Sequence, residues 1–239
     1  MKILITNDDG IYASELIPLV KWAKNLGEVV VAAPKVEQSG KSHGIEIHKA
    51  FEVKQVDLVE GIRAYAVDST PADCVRFAIL GLKEEFDLVI SGINRGLNIG
   101  ADIMYSGTVA AVFEAAALGV KAMAVSTEPK FYEGAAGQMD RIWNYITEHD
   151  LFSIHPIYNV NFPAAAGPIR ITRQGGPYYS DDFLPQENDM YLPQGKSIFE
   201  ESGNMDLDTD AVLRGGLTSI MPLTICRADL DVFRKLKEK

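Results

Sequence analysis

Four short apolar runs, Ile3–Leu4–Ile5, Val29 to Ala33, Phe86 to Ile90 and Ala122 to Val125, recur along the first 125 residues of this chain, and helically spaced segments separate them. Runs that stay apolar suit strands covered on both faces, and strands that alternate with helices build a parallel sheet with helices on either side. The expected fold class is therefore α/β, with a doubly wound, mostly parallel sheet. In such sheets ligands bind in the crevice outside the carboxyl ends of the strands.

The intervening segments support this reading. Leu16, Leu19, Val20 and Ala23 share one helical face before Gly27, and Thr70, Pro71 and Asp73 form a capping signature for a helix reaching about Leu82. Val109 to Leu118 is alanine-rich and helical, Phe51 to Val56 alternates as an edge or antiparallel strand would, and Gly92 to Gly107 reads as a Gly/Asn-rich loop. A helix near 138–148 and a strand near 158–161 follow. From 167 to 206 the chain turns rich in Pro, Gly, Asp and aromatics and is expected to form an extended arm or hairpin, before a helix at 209–213, a strand at 217–221 and a charged helix from Leu230. The expected organisation is one domain, with a core at 1–166 and a C-terminal excursion at 167–239.

Composition removes several classes. The chain has 239 residues, 47% hydrophobic, which is ample for a core, and a formal charge of −10, which argues against a nucleic-acid polymer or an anionic membrane as partner. No apolar stretch approaches the roughly 20 residues of a membrane span, and no signal core follows Met1, so a cytoplasmic location is expected. Cys74 and Cys226 have neither metal nor redox spacing and are expected to be reduced and buried.

Three loops behind the predicted strands carry chemistry. The first, "ITNDDG", sets Asp8 beside Asp9. Two carboxylates about 4 to 5 Å apart repel by roughly 3 to 4 kcal/mol at an effective dielectric of 20, a strain that a divalent cation removes. The bland alternative is that one caps the following helix and the other faces solvent. The second loop, "EQSGKSHG", supplies Ser39 and His43, the latter readable as a solvated loop histidine. The third, "SGINRGLNIGADIMYSGTV", supplies Asn94 and Asn98 and ends in Ser106–Gly107–Thr108 ahead of a helix, where free N–H groups and the helix dipole make a phosphate site unless the hydroxyls only cap the helix. Asp8, Asp9, Ser39 and Asn94 together are a hard oxygen donor set without Cys or paired His, which favours Mg²⁺, Mn²⁺ or Ca²⁺ over zinc. A cation there beside a phosphate cradle points to metal-assisted phosphoryl transfer to water.

The stretches "ILITNDDG", "QSG", "STPADCV", "SGINRGLNIGADIMYSGTVAA" and "YNVNFP", in this order, resemble the SurE family of stationary-phase survival proteins, which are metal-dependent 5′-nucleotidases, with a weaker echo in "DTDAVLRGGLTSIMPL". The resemblance implies a Rossmann-like α/β core with a C-terminal part used for homodimer or homotetramer formation. It implies one Mg²⁺ or Mn²⁺ per subunit held by Asp8, Asp9, Ser39 and Asn94, with Asp8 and Asp9 catalytic, and phosphate held by Ser106, Gly107 and Thr108 with Asn98 nearby. It implies hydrolysis of nucleoside 5′-monophosphates, in some members also of 3′-monophosphates and short polyphosphate. This chain departs from the family pattern at Ser69, Gly44 and Glu46, and where many members carry an Asp shortly after the late "PL" it reads "MPLTICRADL".

Rival readings are weaker or distinguishable. No G-x-G-x-x-G follows the first strand, against a nicotinamide oxidoreductase. Adjacent carboxylates differ from the two-residue spacing of haloacid-dehalogenase-type phosphatases. A nucleotide sensor that binds without turnover would keep the same phosphate cradle.

Overall fold

The structure is a computed structural model that describes residues 1–163 and 167–238. In chain order its elements are β1 (Lys2–Thr6), α1 (Leu16–Ala23), β2 (Glu28–Pro34), β3 (Val53–Val56), β4 (Arg63–Val67), α2 (Pro71–Arg76), β5 (Leu88–Arg95), α3 (Gly107–Ala117), β6 (Lys121–Thr127), α4 (Met139–Glu148), α5 (Leu151–Ile154), β7 (Ile157–Phe162), β8 (Ile169–Ile171), β9 (Tyr179–Pro185), β10 (Tyr191–Ser197), α6 (Asp208–Leu213), β11 (Thr218–Pro222) and α7 (Leu230–Lys237).

One nine-stranded sheet runs in the order β3-β4-β2-β1-β5-β6-β7-β11-β8. Its centre, from β4 to β7, is parallel, while β3 and β11 run antiparallel to their neighbours β4 and β7. The chain moves outward from β1 through β2 to one edge and then returns to lay β5 on the other side of β1. The crevice at the carboxyl ends of β1 and β5 is thus the topological switch point, the place where such sheets hold ligands.

Alternation along each strand divides the core. Ile3, Ile5, Val29, Val31 and Ile90 meet α1 and α4, whereas Leu4, Val30, Ala32 and Val89 meet α2 and α3. Because both faces are covered, these strands need no polar alternation, which is why they read as continuous apolar runs.

Several expectations change in detail. The helix expected to reach Leu82 leaves α geometry after Arg76, and its last turn, Phe77–Gly81, closes as a π-type turn with Leu82 N donating to Phe77 O at 2.9 Å. The Phe77 ring occupies the space beside Gly81, where a Cβ would come within 2.9 Å of it. The stretch expected as loop from Gly92 is not all loop. After an irregularity at Gly92–Ile93, β5 resumes its pairing with β6 at Asn94↔Ser126, and Gly100–Tyr105 is a 3₁₀ helix. Gly92 has φ +142°, and a Cβ there would lie 2.4 Å from Val125 O, so only glycine permits this approach of β5 to β6.

The arm is a real hairpin, β9 with β10, outside the main sheet. The segment behind the core is nevertheless not purely an excursion, because β8 and β11 extend the central sheet. The boundary expected at residue 166 lies outside the described residues. Cys74 is buried as expected, but Cys226 is exposed. Among the described residues no helix is long and apolar enough to cross a membrane.

Thr70 joins helix and loop. Its hydroxyl accepts from Asp73 N at 3.2 Å as the α2 cap and donates to Gly44 O at 2.7 Å. Thr70→Ala is expected to lower unfolding free energy by about 1 to 2 kcal/mol, read as a shift in urea midpoint with unchanged slope.

Candidate active site

The turn after β1 is built by Asn7. Its buried side chain donates from Nδ2 to Gly10 O at 2.9 Å and accepts from Gly10 N at 3.1 Å, closing a loop around the two aspartates. Gly10 takes φ +103°, which a side chain would oppose. Neither aspartate caps α1, whose N-cap residue is Glu15. Glu15 instead accepts from Gly134 N and Ala136 N at 2.8 and 2.9 Å, fixing the loop beyond β6 against the start of α1.

Asp8 and α3 form one unit. Thr108 donates its hydroxyl to Asp8 Oδ1 at 2.5 Å and its N–H to Asp8 Oδ2 at 3.2 Å, and Gly107 lies so close that a Cβ would sit 3.0 Å from Asp8 Cβ. Ser106 caps the helix, accepting from Val109 N at 3.1 Å. In the turn expected to hold phosphate, Thr108 is thus engaged by Asp8 and the Ser106 oxygen by the cap. Gly107 N–H is the first-turn donor that neither of them uses.

Asp9 faces β5. Its Oδ2 accepts from Arg95 N at 3.0 Å, next to Asn94. Asn94 donates Nδ2 to Gly96 O at 2.8 Å, which engages the amide nitrogen and leaves the amide oxygen outside that bond. The second loop reaches the same place, since Gln38 N donates to Asp8 O at 2.8 Å. Ser39, the next residue, donates its hydroxyl to Glu37 Oε1 at 2.7 Å. Glu37 was not among the expected site residues, yet its charge acts on both aspartates. Its position two residues before Ser39, in a loop that returns to Asp8, is visible only once the loop is folded.

Burial and like charge strain the aspartate pair. Burial pushes the Asp8 carboxyl up, against the hydrogen bonds from Thr108. Burial and then the charge of Asp8 push Asp9 to about 6. The Tyr132 hydroxyl, buried without a hydrogen-bond partner among the described residues, is raised to about 12 by burial and by the neighbouring Asp9 charge. Among the described residues no three or more His, Cys, Asp and Glu side chains are grouped as a metal site. Adjacent carboxylates with hydroxyl and amide oxygens in the neighbouring loops are hard oxygen donors, a chemistry that fits a hard divalent cation.

The second loop is stapled on every side. Ser42 donates from N to Tyr105 O at 3.0 Å and from Oγ to Met104 O at 2.7 Å. His43 is not a solvated loop histidine, because its Nε2 lies 2.8 Å from Glu114 Oε2 in α3, and Arg76 Nη1 donates to the other oxygen at 2.9 Å. Those bonds hold the buried Glu114 carboxyl below its usual range. The departures from the family pattern cluster here too, since Ser69 Oγ and Glu46 N both donate to Asp73 Oδ2.

Asn98 serves the loop more than an open site. Asn161 Oδ1 accepts from its N–H at 2.8 Å, Asn159 and Asn161 donate to its carbonyl at 2.7 and 2.9 Å, and its own Nδ2 donates to Ser126 Oγ at 2.8 Å. The two asparagines of "YNVNFP" are thus the β7 clamp on the Gly/Asn-rich segment.

A family model described as Survival protein SurE matches residues 3–181. A protein named 5′-nucleotidase SurE from Caldanaerobacter subterraneus subsp. tengcongensis is 36% identical over 251 residues, spanning 98% of this chain and 95% of that protein. One of the same name from Gemmatimonas aurantiaca is 38% identical, spanning 100% of this chain and 98% of its own. A crystal structure of the SurE protein from Aquifex aeolicus shares the fold at a TM-score of 0.79 and 29% identity, covering 100% of this chain and 99% of that one. With the motifs, the sheet and these relatives in agreement along the chain, the protein belongs to the SurE family of survival proteins.

Proposed function

We propose that this chain is a phosphatase that hydrolyses nucleoside 5′-monophosphates to nucleoside and phosphate. The observation that carries the reading is the bonding of Asp8 to the first turn of α3, which makes carboxylate pair and phosphate-binding helix one rigid unit at the switch point of the sheet. The relatives named 5′-nucleotidase support it.

Asp8, Asp9, Ser39 and Asn94 would hold a single Mg²⁺ or Mn²⁺. When bound, such a cation polarises a phosphoryl oxygen and lowers the pKa of a bound water. Asp8, with both oxygens held by Thr108, keeps a fixed position. Asp9 has only Oδ2 engaged and keeps Oδ1 to accept a proton from the attacking water. Gly107 N–H and the α3 dipole stabilise charge on the phosphoryl oxygens, a preorganised electrostatic contribution.

The apolar side chains exposed on the hairpin, Phe183, Tyr191 and Leu192, and on α7, Leu230, Phe233 and Leu236, support assembly into a homodimer or homotetramer. The free thiols Cys74 and Cys226 fit a reducing, cytoplasmic setting.

Phosphate release from AMP, GMP and CMP with Mg²⁺ or Mn²⁺, before and after EDTA, tests the reading. The expected result is release that EDTA abolishes and added metal restores. Metal-independent release, or thermal stabilisation by AMP without any release, overturns it, and the latter outcome identifies a sensor.

A further inference from the structure

Glu114 is a buried carboxylate that the proposed chemistry does not use. It lies in α3 about two turns beyond Gly107 and is 7% exposed. Its two oxygens serve two different elements. Oε2 lies 2.8 Å from His43 Nε2 in the second loop, and Oε1 accepts from Arg76 Nη1 in α2 at 2.9 Å. Arg76 Nε is in turn 3.9 Å from Asp73 Oδ1, and Asp73 Oδ2 accepts from Glu46 N at 2.8 Å. The series His43, Glu114, Arg76, Asp73 thus leaves the second loop at residue 43, crosses α3 and α2, and returns to the chain at residue 46. An ionised carboxylate only accepts, which makes His43 Nε2 the donor in its bond to Glu114.

The second loop does not hold its shape by itself. Ser42 takes φ +54°, a left-handed conformation that a serine keeps only where surrounding contacts over-determine it. Those contacts are the two bonds of Ser42 to the 3₁₀ helix and the bond of His43 to Glu114, with the His43 ring set 6.3 Å from that of Phe113. Ser39 is exposed, and its hydroxyl bonds Glu37 within the same loop. Its distance from the aspartates is therefore set by where the loop is anchored: at Gln38 N on Asp8 O before it, and at Ser42 and His43 after it.

We propose that His43 and Glu114 are positioning residues of the candidate site, whose bond clasps the second loop to α3 and so fixes Ser39 relative to the aspartates. The inference rests on the metal set proposed above and names how one member of it is placed. The first turn of the same helix holds both oxygens of Asp8 through Thr108. Asp8 at the end of α3 and Ser39 along its flank are thus referred to one rigid element, an outer layer of bonds that orients the ligand layer.

The test uses Mn²⁺ alone as the probe. His43→Ala should weaken Mn²⁺ binding, read from the EPR signal of the free ion, by about tenfold to a hundredfold. Saturating Mn²⁺ should return most of kcat for AMP, so that the loss sits in the metal dependence and not in turnover. His43→Gln, whose amide nitrogen can take the place of Nε2, should recover most of the affinity. In a Glu114→Gln background His43→Ala should add little further loss, because both residues act through one bond. Amide hydrogen exchange of the metal-free protein gives a readout that needs no ligand: the Gln38 and Ser42 N–H groups should exchange about tenfold faster or more in His43→Ala, with β1 and β5 unchanged. A pair that only stabilises the fold would lower the melting temperature and leave Mn²⁺ affinity and Gln38 exchange at wild-type values, and that result overturns the proposal. So do additive losses in the double variant, or a His43→Gln protein indistinguishable from His43→Ala. Wild-type protein that binds no Mn²⁺ overturns the metal set instead, and the exchange rates then still decide the clasp.

Discussion

Asp9→Asn is expected to cut kcat/KM for AMP by about 10³-fold or more while raising the melting temperature of the metal-free protein. The two effects have one cause. In the metal-free protein Asp9 is held at about 6, above its ordinary value of 3.8, by burial and by Asp8. A carboxyl whose folded-state pKa is raised favours folding only where it is protonated, so its contribution is present below pH ~4 and is lost as pH rises through ~6. Above that range the charged pair costs of order 2 kcal/mol, equivalent to about 4 to 8 °C in a chain of this length. Asparagine keeps an oxygen for Arg95 N and removes the charge. The variant should therefore melt higher than wild type at pH 8 in EDTA, and the gap should close toward pH 4. Mn²⁺ should raise the wild-type melting temperature and leave the variant nearly unchanged. Retained turnover would remove Asp9 from the mechanism, and an unchanged metal-free melting temperature would show that the pair is not strained.

Asp208→Ala is expected to lower stability by roughly 2 to 5 kcal/mol, or about 5 to 15 °C, and to lower activity with it. Asp208 is completely buried in α6, where Oδ2 accepts from Gly100 N at 2.9 Å and Oδ1 from Gly175 N at 2.7 Å. Alanine removes the acceptor of the buried Gly100 N–H and of the half-buried Gly175 N–H. The damage reaches the site because Gly100 opens the 3₁₀ helix that leads through Tyr105 into the Ser106–Thr108 turn. Gly100 is itself irreplaceable in that packing, since a Cβ would lie 2.1 Å from Gly176 O. Asparagine is no rescue, because its amide would point an N–H at one of the two donors. Thermal melts of Asp208→Ala and Asp208→Asn check this, and a loss under 2 °C in both would refute the staple.

Much of the fold was legible in sequence because the relevant physics is local. The apolar runs are buried on two faces, and Thr70–Pro71–Asp73 caps a helix by contacts within four residues. The aspartate pair, Ser39, Asn94 and the "YSGTV" helix start were likewise legible as short patterns, and the structure gathers them at one crevice. What was missed depends on partners distant in the chain. Thr108 was expected to face phosphate, but Asp8, 100 residues away, takes its hydroxyl and N–H. His43 looked solvated, but Glu114 lies opposite it, 71 residues on. Asn98 has its backbone carbonyl clamped by Asn159 and Asn161, more than 60 residues away.

By itself the sequence determined the strand and helix alternation and the family, because hydrophobic period, capping and motif are properties of neighbouring residues. Only the tertiary structure decided which carboxylate is immobile and which keeps an uncommitted oxygen. Asp8 and Asp9 are the same residue type in adjacent positions, and they differ only in what the fold packs against them: the buried first turn of α3 for one, the end of β5 for the other.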